Sequence, residues 1–479
     1  MIEDLKPYPQ YKDSGLPWLG EVPRHWEIAR SKRLFRQRKE FAQSDDQQLS
    51  ATQAFGVIPQ ALYEHRTGYR VVKISMHLDK RKHVEADDFV ISMRSFQGGL
   101  ERAWATGAIR SSYVVLEPSA EVSAGYFQHL FKSHQYINAL RATSDFIRDG
   151  QDLNFGNFCG VDLPLIPLQE QAAIARFLTW ATNRLDRAIG AKRRIIALLN
   201  EQKQAIIHRA VTRGLDPSVP VKDSGIPWLG EIPGHWVVRR LGHAVRLQTG
   251  YPFASTGFVQ AQSGTRLLRG VNVTPSQIRW DEVVRWQRHI GDGLDDYVLD
   301  VGDVVLGMDR PIIGAGVRTA MIREDDTPSL LLQRVARLRS TEVLDSEFML
   351  LLLRGRIFYE YMAPIFTGIS VPHLSPQQVK NFRVALPSIE EQRNIVAELM
   401  EQTYELGYAI ANNEREINLL REYRTRLIAD VVTGKLDVRK VAARLPEEEL
   451  LDQPDVAAGY DADEADDDAE SDLINIAED

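Results

Sequence analysis

A repeated fifteen-residue segment constrains this chain more than any other feature. Residues 12–26 read KDSGLPWLGEVPRHW and residues 222–236 read KDSGIPWLGEIPGHW, with twelve identical positions at an offset of 210. A repeat of this kind indicates one structural unit used twice. Asp, Ser, Gly and Pro set turns in each copy, and the two Trp bring a large apolar area. The segment is therefore predicted to latch a domain edge onto a neighbouring element, and a metal site at His25 or His235 is not expected.

A second repeat closes each half, at an offset of 221. Residues 168–171 (LQEQ) recur as 389–392 (IEEQ), and 211–216 (VTRGLD) recur as 432–437 (VTGKLD). No Pro interrupts the stretch between them, and apolar residues fall at three- and four-residue steps, which predicts a helix of about 40 residues and roughly 60 Å in each half. Glu170 and Glu391 lie at the helix starts, where negative charge favours the helix dipole, so they are interpreted as caps and not as catalysts.

A narrow apolar stripe on so long a helix requires a partner helix, and the other copy is the obvious one. Two separate amphipathic helices, each lying on its own domain, are the alternative. The residues expected to form the helix seam and to support partner docking are Leu178, Leu185, Leu199, Ile206, Leu399, Leu406, Leu420 and Leu427.

Short runs rich in β-branched residues separate turn residues in both halves, which predicts an α+β fold. These runs are 69–75, 89–93, 112–116, 303–306 and 333–338. The predicted order is a first domain at 1–168, a helix at 169–213, a second domain at 214–388, a helix at 389–436 and a tail at 437–479. Residues 30–160 and 240–380 show no alignment with each other, so the scaffold is repeated while the domain contents diverge.

The charge of −8 is unevenly distributed. Residues 447–479 hold 15 of the 66 acidic residues and no Lys or Arg, so 51 acids face all 58 Lys and Arg in the remainder. The body is therefore basic, as a nucleic-acid-binding protein requires. The acidic tail is predicted to be disordered; it either improves solubility or competes with DNA for the basic surface.

Several classes of function are not supported. No stretch is long and apolar enough to span a membrane, and the start does not resemble a signal peptide, so a cytoplasmic protein is expected. The single Cys159 fits that expectation. The sequence contains no recognisable phosphate-binding loop, methyltransferase motif or nuclease cluster. No catalytic residue, metal site or cofactor is predicted on this chain.

Basic and amide side chains cluster between the predicted strands, where Arg can read guanine, Asn or Gln can read adenine, and Lys can contact phosphate. The candidate DNA contacts are Lys73, Arg94, Gln97, Arg102, Tyr251, Arg269, Asn272 and Arg310. Further basic residues of the same clusters include Arg66, Arg70, Lys80, Arg81, Lys82, Arg266, Arg318 and Arg334.

Together, these motifs resemble the specificity subunits of type I restriction-modification systems. The resemblance rests on the doubled KDSGxPWLGExPxHW segment, PLQEQ at 167–171, PSIEEQ at 387–392 and the long helices, with further family-like stretches at 92–99 (SMRSFQGG) and 368–374 (GISVPHL). It implies two target recognition domains separated by two antiparallel helices in a pseudo-twofold arrangement, each domain reading half of a split double-stranded DNA site. It also implies two modification subunits and restriction subunits as partners, which carry S-adenosylmethionine, ATP and Mg. The acidic tail departs from the usual pattern. A fused enzyme with unrecognised motifs and a scaffold that binds only protein are the alternatives.

The seam prediction can be tested with the double variant Leu185→Asp and Leu406→Asp. Two charges in an apolar helix seam should cost several kcal/mol and collapse assembly with partner subunits. Size-exclusion chromatography of the co-expressed complex, followed by a methylation assay, measures the loss. A double variant that still forms a methylation-competent complex would show that the seam lies elsewhere.

Overall fold

The computed structural model describes residues 5–71, 80–92, 95–143, 153–259, 264–275, 277–313, 316–366 and 372–446. The chain forms two compact units, the first built from Met1–Arg194 with Asn413–Asp479 and the second from Ile195–Asn412. Each unit therefore combines a β-containing domain with parts of both long helices.

In the described part of the first half, twelve short strands and six short helices precede the long helix. The strands are β1 (Tyr11–Asp13), β2 (Glu21–Pro23), β3 (Glu27–Ala29), β4 (Phe35–Arg38), β5 (Leu49–Thr52), β6 (Gly56–Pro59), β7 (Lys82–Val84), β8 (Phe89–Ile91), β9 (Glu101–Arg102), β10 (Gly107–Ile109), β11 (Val114–Pro118) and β12 (Leu163–Leu165) within the described residues. The helices are α1 (Ser31–Leu34), α2 (Gln60–Thr67), α3 (Ser95–Gly98), α4 (Ala124–Phe131), α5 (His134–Arg141), α6 (Phe155–Cys159) and the long α7 (Leu168–Arg213).

The second half has a similar order of elements. Its strands in the described ranges are β13 (Val221–Asp223), β14 (Glu231–Pro233), β15 (Val237–Arg240), β16 (Val245–Thr249), β17 (Thr265–Leu268), β18 (Arg285–Trp286), β19 (Val304–Gly307), β20 (Ile312–Ile313), β21 (Gly316–Val317), β22 (Thr319–Met321), β23 (Ser329–Leu331), β24 (Val335–Ser340) and β25 (Arg383–Leu386). Its helices are α8 (Ser346–Arg354), α9 (Arg356–Phe366), α10 (Pro376–Asn381), the long α11 (Ile389–Val432) and α12 (Arg439–Ala442).

The two domains contain the same central sheet. The strand order is β4-β11-β8-β9 in the first unit and β16-β24-β19-β22 in the second, and all pairings are antiparallel. In both sheets the fourth strand along the chain lies between the first and the second. The pairs β1-β2 and β3-β12 likewise correspond to β13-β14 and β15-β25. The domains thus share an architecture even though their sequences show no alignment.

A buried aspartate marks the same position in both sheets. Asp88 precedes β8 and Asp303 precedes β19, and each accepts a 2.9 Å hydrogen bond from the backbone N–H three residues earlier. Each also accepts a 2.7 Å bond from an arginine of the same sheet, Arg38 of β4 in one unit and Arg339 of β24 in the other. The segments at 85–93 (EADDFVISM) and 300–308 (DVGDVVLGM) carry this shared position in the sequence, but their similarity is too short to align the two domains.

Four of the five predicted strand runs coincide with strands. Residues 89–93, 112–116, 303–306 and 333–338 overlap β8, β11, β19 and β24. In the run at 69–75, residues 69–71 form no strand and 72–75 lie outside the described residues. The α+β prediction is confirmed, with two β-rich domains separated by two long helices.

In the first unit, the start of α7 packs against the end of α11. Leu178 of α7 shares one core with Leu427 of α11. Farther along, the Asp186 carboxylate accepts a 2.8 Å hydrogen bond from Arg424. In this unit the two helices are therefore antiparallel, because residue numbers rise on one as they fall on the other.

In the second unit, the end of α7 packs against the start of α11. Ile207 and Val211 share a core with Ile395 and Leu399. The long helices thus pack together within each unit, as the apolar stripe predicted.

The predicted seam residues differ in burial. Leu178, Leu185, Leu399 and Leu427 are buried, whereas Leu199, Ile206, Leu406 and Leu420 are half-buried. The second helix ends at Val432, four residues before its predicted end. Gly434 adopts a left-handed φ of +79°, which stops the helix.

The carboxylate at the start of each long helix holds the first repeated segment. Glu170 accepts a hydrogen bond from the Trp26 indole at 2.9 Å and lies 2.7 Å from His25 Nε2. Glu391 makes the same pair of contacts with Trp236 and His235, both at 3.0 Å. Both indoles are fully buried. The predicted latch is therefore present, and these glutamates serve as its acceptors as well as lying at the helix dipole.

The glutamine that follows each of these glutamates holds a second part of the domain. Gln171 accepts from the backbone N–H of Ser123 at 2.7 Å and donates to the carbonyls of Glu121 and Ile166 at 2.9 and 2.8 Å. Gln392 makes the equivalent three bonds, to Asp345 N–H at 2.8 Å and to the carbonyls of Val343 and Pro387 at 2.9 and 3.1 Å. Both glutamines are fully buried. Each Glu–Gln pair thus fixes two separate segments of one domain to one helix end.

The first unit has an additional contact from the C-terminal part of the chain. Val438, Val441 and Leu445 are buried in its core, and the Asp437 N–H donates to the Lys6 carbonyl at 2.8 Å. The folded part of the chain therefore runs past residue 437, where the sequence placed the start of the tail. Residues 447–479 lie outside the described residues.

Replacing Gln171 by Leu should destabilise the protein markedly. The change leaves the Ser123 N–H and two buried carbonyls without their partner, and each unsatisfied buried group costs about 1–3 kcal/mol. Urea unfolding followed by tryptophan fluorescence measures the loss. The matched control is Gln169→Leu, an exposed site two residues earlier, which should change the unfolding free energy by no more than about 0.5 kcal/mol. Equal effects of the two changes would contradict the role assigned to Gln171.

Candidate nucleic-acid interface

Three chain segments meet at one end of the second domain's central sheet. β16 leads into Tyr251, β24 starts just after Arg334, and β19 leads into Asp309 and Arg310. Backbone hydrogen bonds join these segments: Gln333 N–H donates to the Tyr251 carbonyl at 3.0 Å, and Met308 N–H donates to the Arg334 carbonyl at 2.9 Å. The sheet therefore fixes these side chains beside one another.

Glycine is required where β16 leaves the sheet. A Cβ atom on Gly250 would lie 2.1 Å from the Leu332 carbonyl oxygen. The close approach brings the Tyr251 ring beside Phe253 and Tyr297, with centroids 4.9 and 5.2 Å apart. Tyr251 is 39% exposed as a residue, so it presents a surface to solvent.

Two exposed arginines of this region have left-handed backbones. Arg310 has a φ of +43° and Arg334 a φ of +71°. For a residue with a side chain, this conformation costs roughly 1–2 kcal/mol. Backbone hydrogen bonds stabilise this conformation. The Arg310 N–H donates to the Pro372 carbonyl at 2.8 Å, and the Arg334 carbonyl accepts from the Met308 N–H. Strained backbone of this kind is typical of functional positions.

Asp309 lies between Arg334 and a histidine. Its carboxylate lies 2.5 Å from His373 Nδ1 and 3.6 Å from Arg334 Nε. The side chains of Arg334, His373 and Asp309 are all at least 40% exposed. We call Tyr251, Asp309, Arg310, Arg334 and His373 the sheet-end cluster. It offers an exposed ring and cationic groups on one rigid edge, which suits contact with a nucleic-acid backbone or base edge.

Tyr251 and Arg310 are the two candidate contacts from sequence that the structure brings together. Arg334 belonged to the same sequence cluster, and His373 was missed as a site residue. The signal for His373 was the stretch GISVPHL, of which residues 368–371 lie outside the described residues. Sequence alone does not show that this stretch returns to the end of β19.

Two other candidates of the second domain shape their own loop. Asn272 is 2% exposed. Its side chain accepts from the Arg269 N–H at 3.0 Å and donates to the Arg279 and Glu282 carbonyls at 2.9 and 3.3 Å. The Arg269 guanidinium donates to the backbone carbonyl of Glu282 and to the Glu282 carboxylate. The polar atoms of Asn272 are thus occupied within the loop.

Among the first-domain candidates, Arg102 is held by its neighbours. Its guanidinium donates to Asp87 at 2.6 and 2.8 Å and lies 4.2 Å above the Trp104 ring. Gln97 is exposed on α3. Lys73 and Arg94 lie outside the described residues.

Several other arginines of the predicted clusters have structural partners. Arg318 is 8% exposed and donates to the carbonyls of Gly270, Val273 and Asp309. Arg266 donates to two carbonyls and lies 4.5 Å above the Trp280 ring. Burial lowers the pKa of both guanidiniums below the ordinary arginine value. They tie loops together, and Arg318 in particular supports the turn that carries Asp309.

Other chemistry finds little support in the described ranges. No group of three His, Cys, Asp or Glu is arranged there to hold a metal ion. Burial raises the pKa of the Cys159 thiol, which keeps it protonated at neutral pH. No helix of these ranges combines the length and apolarity that crossing a bilayer demands.

Comparisons with known proteins find similar chains among the specificity subunits of restriction enzymes. It is 28% identical over 285 residues to the specificity subunit of the type I restriction enzyme MjaVIII of Methanocaldococcus jannaschii, which covers 59% of this chain and 64% of that protein. It is 29% identical over 220 residues to the EcoAI specificity subunit of Escherichia coli, covering 45% of this chain and 36% of that protein. The chain thus spans less than two thirds of either relative. No family model matches it.

A solved structure shares the fold. It concerns complex assembly and conformational transition of the type I restriction-modification system, and it covers 86% of this chain and 99% of its own, with a TM-score of 0.55 and 16% identity. The repeated latch, the paired long helices and these relatives agree: the chain is similar to the specificity subunits of type I restriction enzymes.

Proposed function

We propose that this chain is the DNA-reading subunit of a type I restriction-modification complex, in which each domain recognises one half of a split site. The observation that carries the proposal is the doubled scaffold: two domains with the same sheet order, each latched to a long helix by the same Glu–Gln pair. Repeated scaffolds with divergent loops suit two readers of different short sequences. The basic charge of residues 1–446 supports DNA as the ligand.

In this proposal the chain is not itself catalytic. Two modification subunits bind S-adenosylmethionine and methylate adenine, and restriction subunits use ATP and Mg to cleave. The recognition domains are residues 1–168 and 214–388, and the protein acts in the cytoplasm. Incubating the purified chain alone with DNA and S-adenosylmethionine should give no methylation, and adding the modification subunit should restore it. Methylation by the chain alone would favour a fused enzyme.

DNA contacts are proposed at the sheet-end cluster of the second domain. Exposed arginine side chains and an exposed ring at the rigid end of a sheet can reach a phosphate or a base edge without rearrangement. Lys73, Arg94, Gln97 and Arg102 remain the candidates of the first domain, with Arg102 the least available because Asp87 and Trp104 hold its guanidinium.

The variant Arg334→Gly separates DNA binding from stability. Glycine adopts the left-handed backbone without strain, so the melting temperature should stay the same or rise. Specific DNA affinity should fall about tenfold, since one good base contact contributes about 1–3 kcal/mol. Fluorescence anisotropy with the methylation-competent complex measures the affinity.

The control is Arg356→Gln, which removes an exposed arginine of the same domain that pairs with Glu360. It should leave specific affinity unchanged. If Arg334→Gly binds the target as tightly as the native complex, the sheet-end cluster does not contact DNA.

The long helices are proposed to set the unread spacer between the half-sites. Inserting four residues between Ala188 and Ile195, and four at the equivalent point of α11 between Ala409 and Glu416, adds about 6 Å of helix. At about 3.4 Å per base pair, the spacer should grow by about two base pairs while both half-sites are kept. Methylome sequencing of cells carrying the variant gives the recognised site. A four-residue insertion in the linker 215–219 is the control and should leave the spacer unchanged. If the helix variant is active and keeps the original spacer, the long helices do not set the spacer length.

A further inference from the structure

The first domain has its own exposed ring at the sheet end that corresponds to the sheet-end cluster. Because the two central sheets share one strand order, the segments after β4 and before β11 correspond to those after β16 and before β24. Tyr251 follows β16 by two residues, and Phe41 follows β4 by three. Phe41 is 64% exposed. Both sheets therefore present an aromatic group to solvent at the same end.

A basic segment is attached to this end of the first sheet. Residues 80–82 read KRK, and the chain just beyond β4 pairs with them. The Ala42 N–H donates to the Arg81 carbonyl at 2.9 Å, and the His83 N–H donates to the Glu40 carbonyl at 3.0 Å. These bonds fix the backbone of Arg81 beside the end of β4.

Strand pairing brings a second arginine next to Arg81. In the β7-β10 pair, Lys82 lies opposite Ile109, so the next pair outward is Arg81 and Arg110. Arg110 lies in the turn that leads into β11, where its carbonyl accepts from the Tyr113 N–H at 3.3 Å. Side chains of directly opposed residues are close together, and like charges in such positions repel each other. The pair therefore concentrates positive charge at the sheet end.

Arg81 is buried without a counter-charge. It is 8% exposed, and among the described residues its guanidinium makes no hydrogen bond or ion pair. Burial, followed by the charge of Arg110, lowers the pKa of Arg81 below the ordinary arginine value. A buried charge is costly unless a group of opposite charge compensates it. The position therefore favours the binding of an anion.

Carboxylates on the adjoining segments have other partners. The Asp46 carboxylate lies 2.8 Å from His83 Nδ1. The Glu40 carboxylate lies 3.3 Å from Arg38 Nη1. The charge of Arg81 is therefore not compensated by these two acids.

A phosphate group is the anion that suits two neighbouring guanidiniums. Each guanidinium presents N–H donors in a planar fork that can bind two phosphate oxygens. Lys80 and Lys82, on either side of Arg81, add positive charge. In a DNA complex, phosphate contacts orient the protein on the duplex and carry no sequence information themselves.

We propose that Arg81 and Arg110 bind one backbone phosphate of the DNA at the first half-site. The proposal rests on the function proposed above, and it assigns to the first domain a contact that positions this domain on the duplex. Base recognition then belongs to other side chains of the domain. In the bound state, the phosphate compensates a guanidinium charge that the described part of the chain leaves uncompensated.

The variant Arg81→Gln tests the site in the complex of the full chain with its modification subunits. Affinity should fall about tenfold, both for a duplex with the target site that methylome sequencing defines and for a duplex without it, because a phosphate contact does not depend on sequence. The slope of log affinity against log salt should decrease in size by about one. Fluorescence anisotropy at several salt concentrations measures both quantities. The melting temperature should stay the same or rise, because the change removes an uncompensated buried charge.

Neutral phosphates identify the contact on the DNA. A methylphosphonate is placed at each phosphate of the first half-site in turn. At one position it should weaken binding by the native complex about tenfold and leave the already weakened Arg81→Gln complex unchanged. The conservative variant Arg81→Lys keeps the positive charge, so its salt slope should stay close to the native one.

The matched control is Arg33→Gln, which removes an exposed arginine of the same domain that pairs with Glu121. It should bind both duplexes as the native chain does. The proposal is overturned if Arg81→Gln keeps the native affinity and salt slope, or if its melting temperature falls clearly, since Arg81 would then be structural. It is also overturned if inorganic phosphate raises the melting temperature of the native chain alone while both chains bind DNA equally, because a free anion would then be the occupant. A native complex that binds no target duplex would instead refute the proposed function.

Discussion

The carboxylate at the start of each long helix is the contact on which the rest of the fold depends. A buried carboxylate is costly unless hydrogen bonds compensate it. Glu170 is 4% exposed and accepts from Tyr8, Trp26 and His25. Burial and the bond to Glu170 raise the pKa of the Tyr8 hydroxyl above its ordinary value, so it remains a donor. The positive end of the helix dipole adds to the same stabilisation. One side chain thus fixes the domain edge to the helix.

This contact explains why two short sequences recur in the chain. The Trp segment and the Glu–Gln pair are the two sides of one interface, so a second copy of the interface requires both. The sequence predicted that the segment forms a latch and that the helices begin at the Glu–Gln pair. It did not predict that the two bind each other, because 144 residues separate Trp26 from Glu170 and a helix-start glutamate is already accounted for by the dipole.

The same limit applies to the candidate DNA contacts. Helix bounds and most strand runs follow from local periodicity, which sequence carries. Whether an arginine or an asparagine faces solvent depends on distant carbonyl groups. Arg318 and Asn272 turn inward because loops around them offer carbonyl oxygens. Arg310 and Arg334 remain exposed because backbone bonds hold them in left-handed turns. The spacing of these residues in the sequence does not show which side chains turn inward and which remain exposed.

The internal symmetry is strongest where side chains are buried and weakest where they are exposed. The hydrogen bonds of Glu170, Gln171 and Asp88 in the first unit recur at Glu391, Gln392 and Asp303 in the second. The surroundings differ: Glu170 has Tyr8 and, at 3.7 Å, Arg439 as further partners, and among the described residues neither has a counterpart at Glu391. Arg439 begins α12, so the chain's C-terminal segment reinforces the first latch. Lys6 and Arg176, which hydrogen-bond to Asp437 and Leu445 of this C-terminal segment, also belong to the first unit. A duplicated core can thus keep its packing while each unit acquires a different surface, because only buried contacts must be reproduced for the unit to fold.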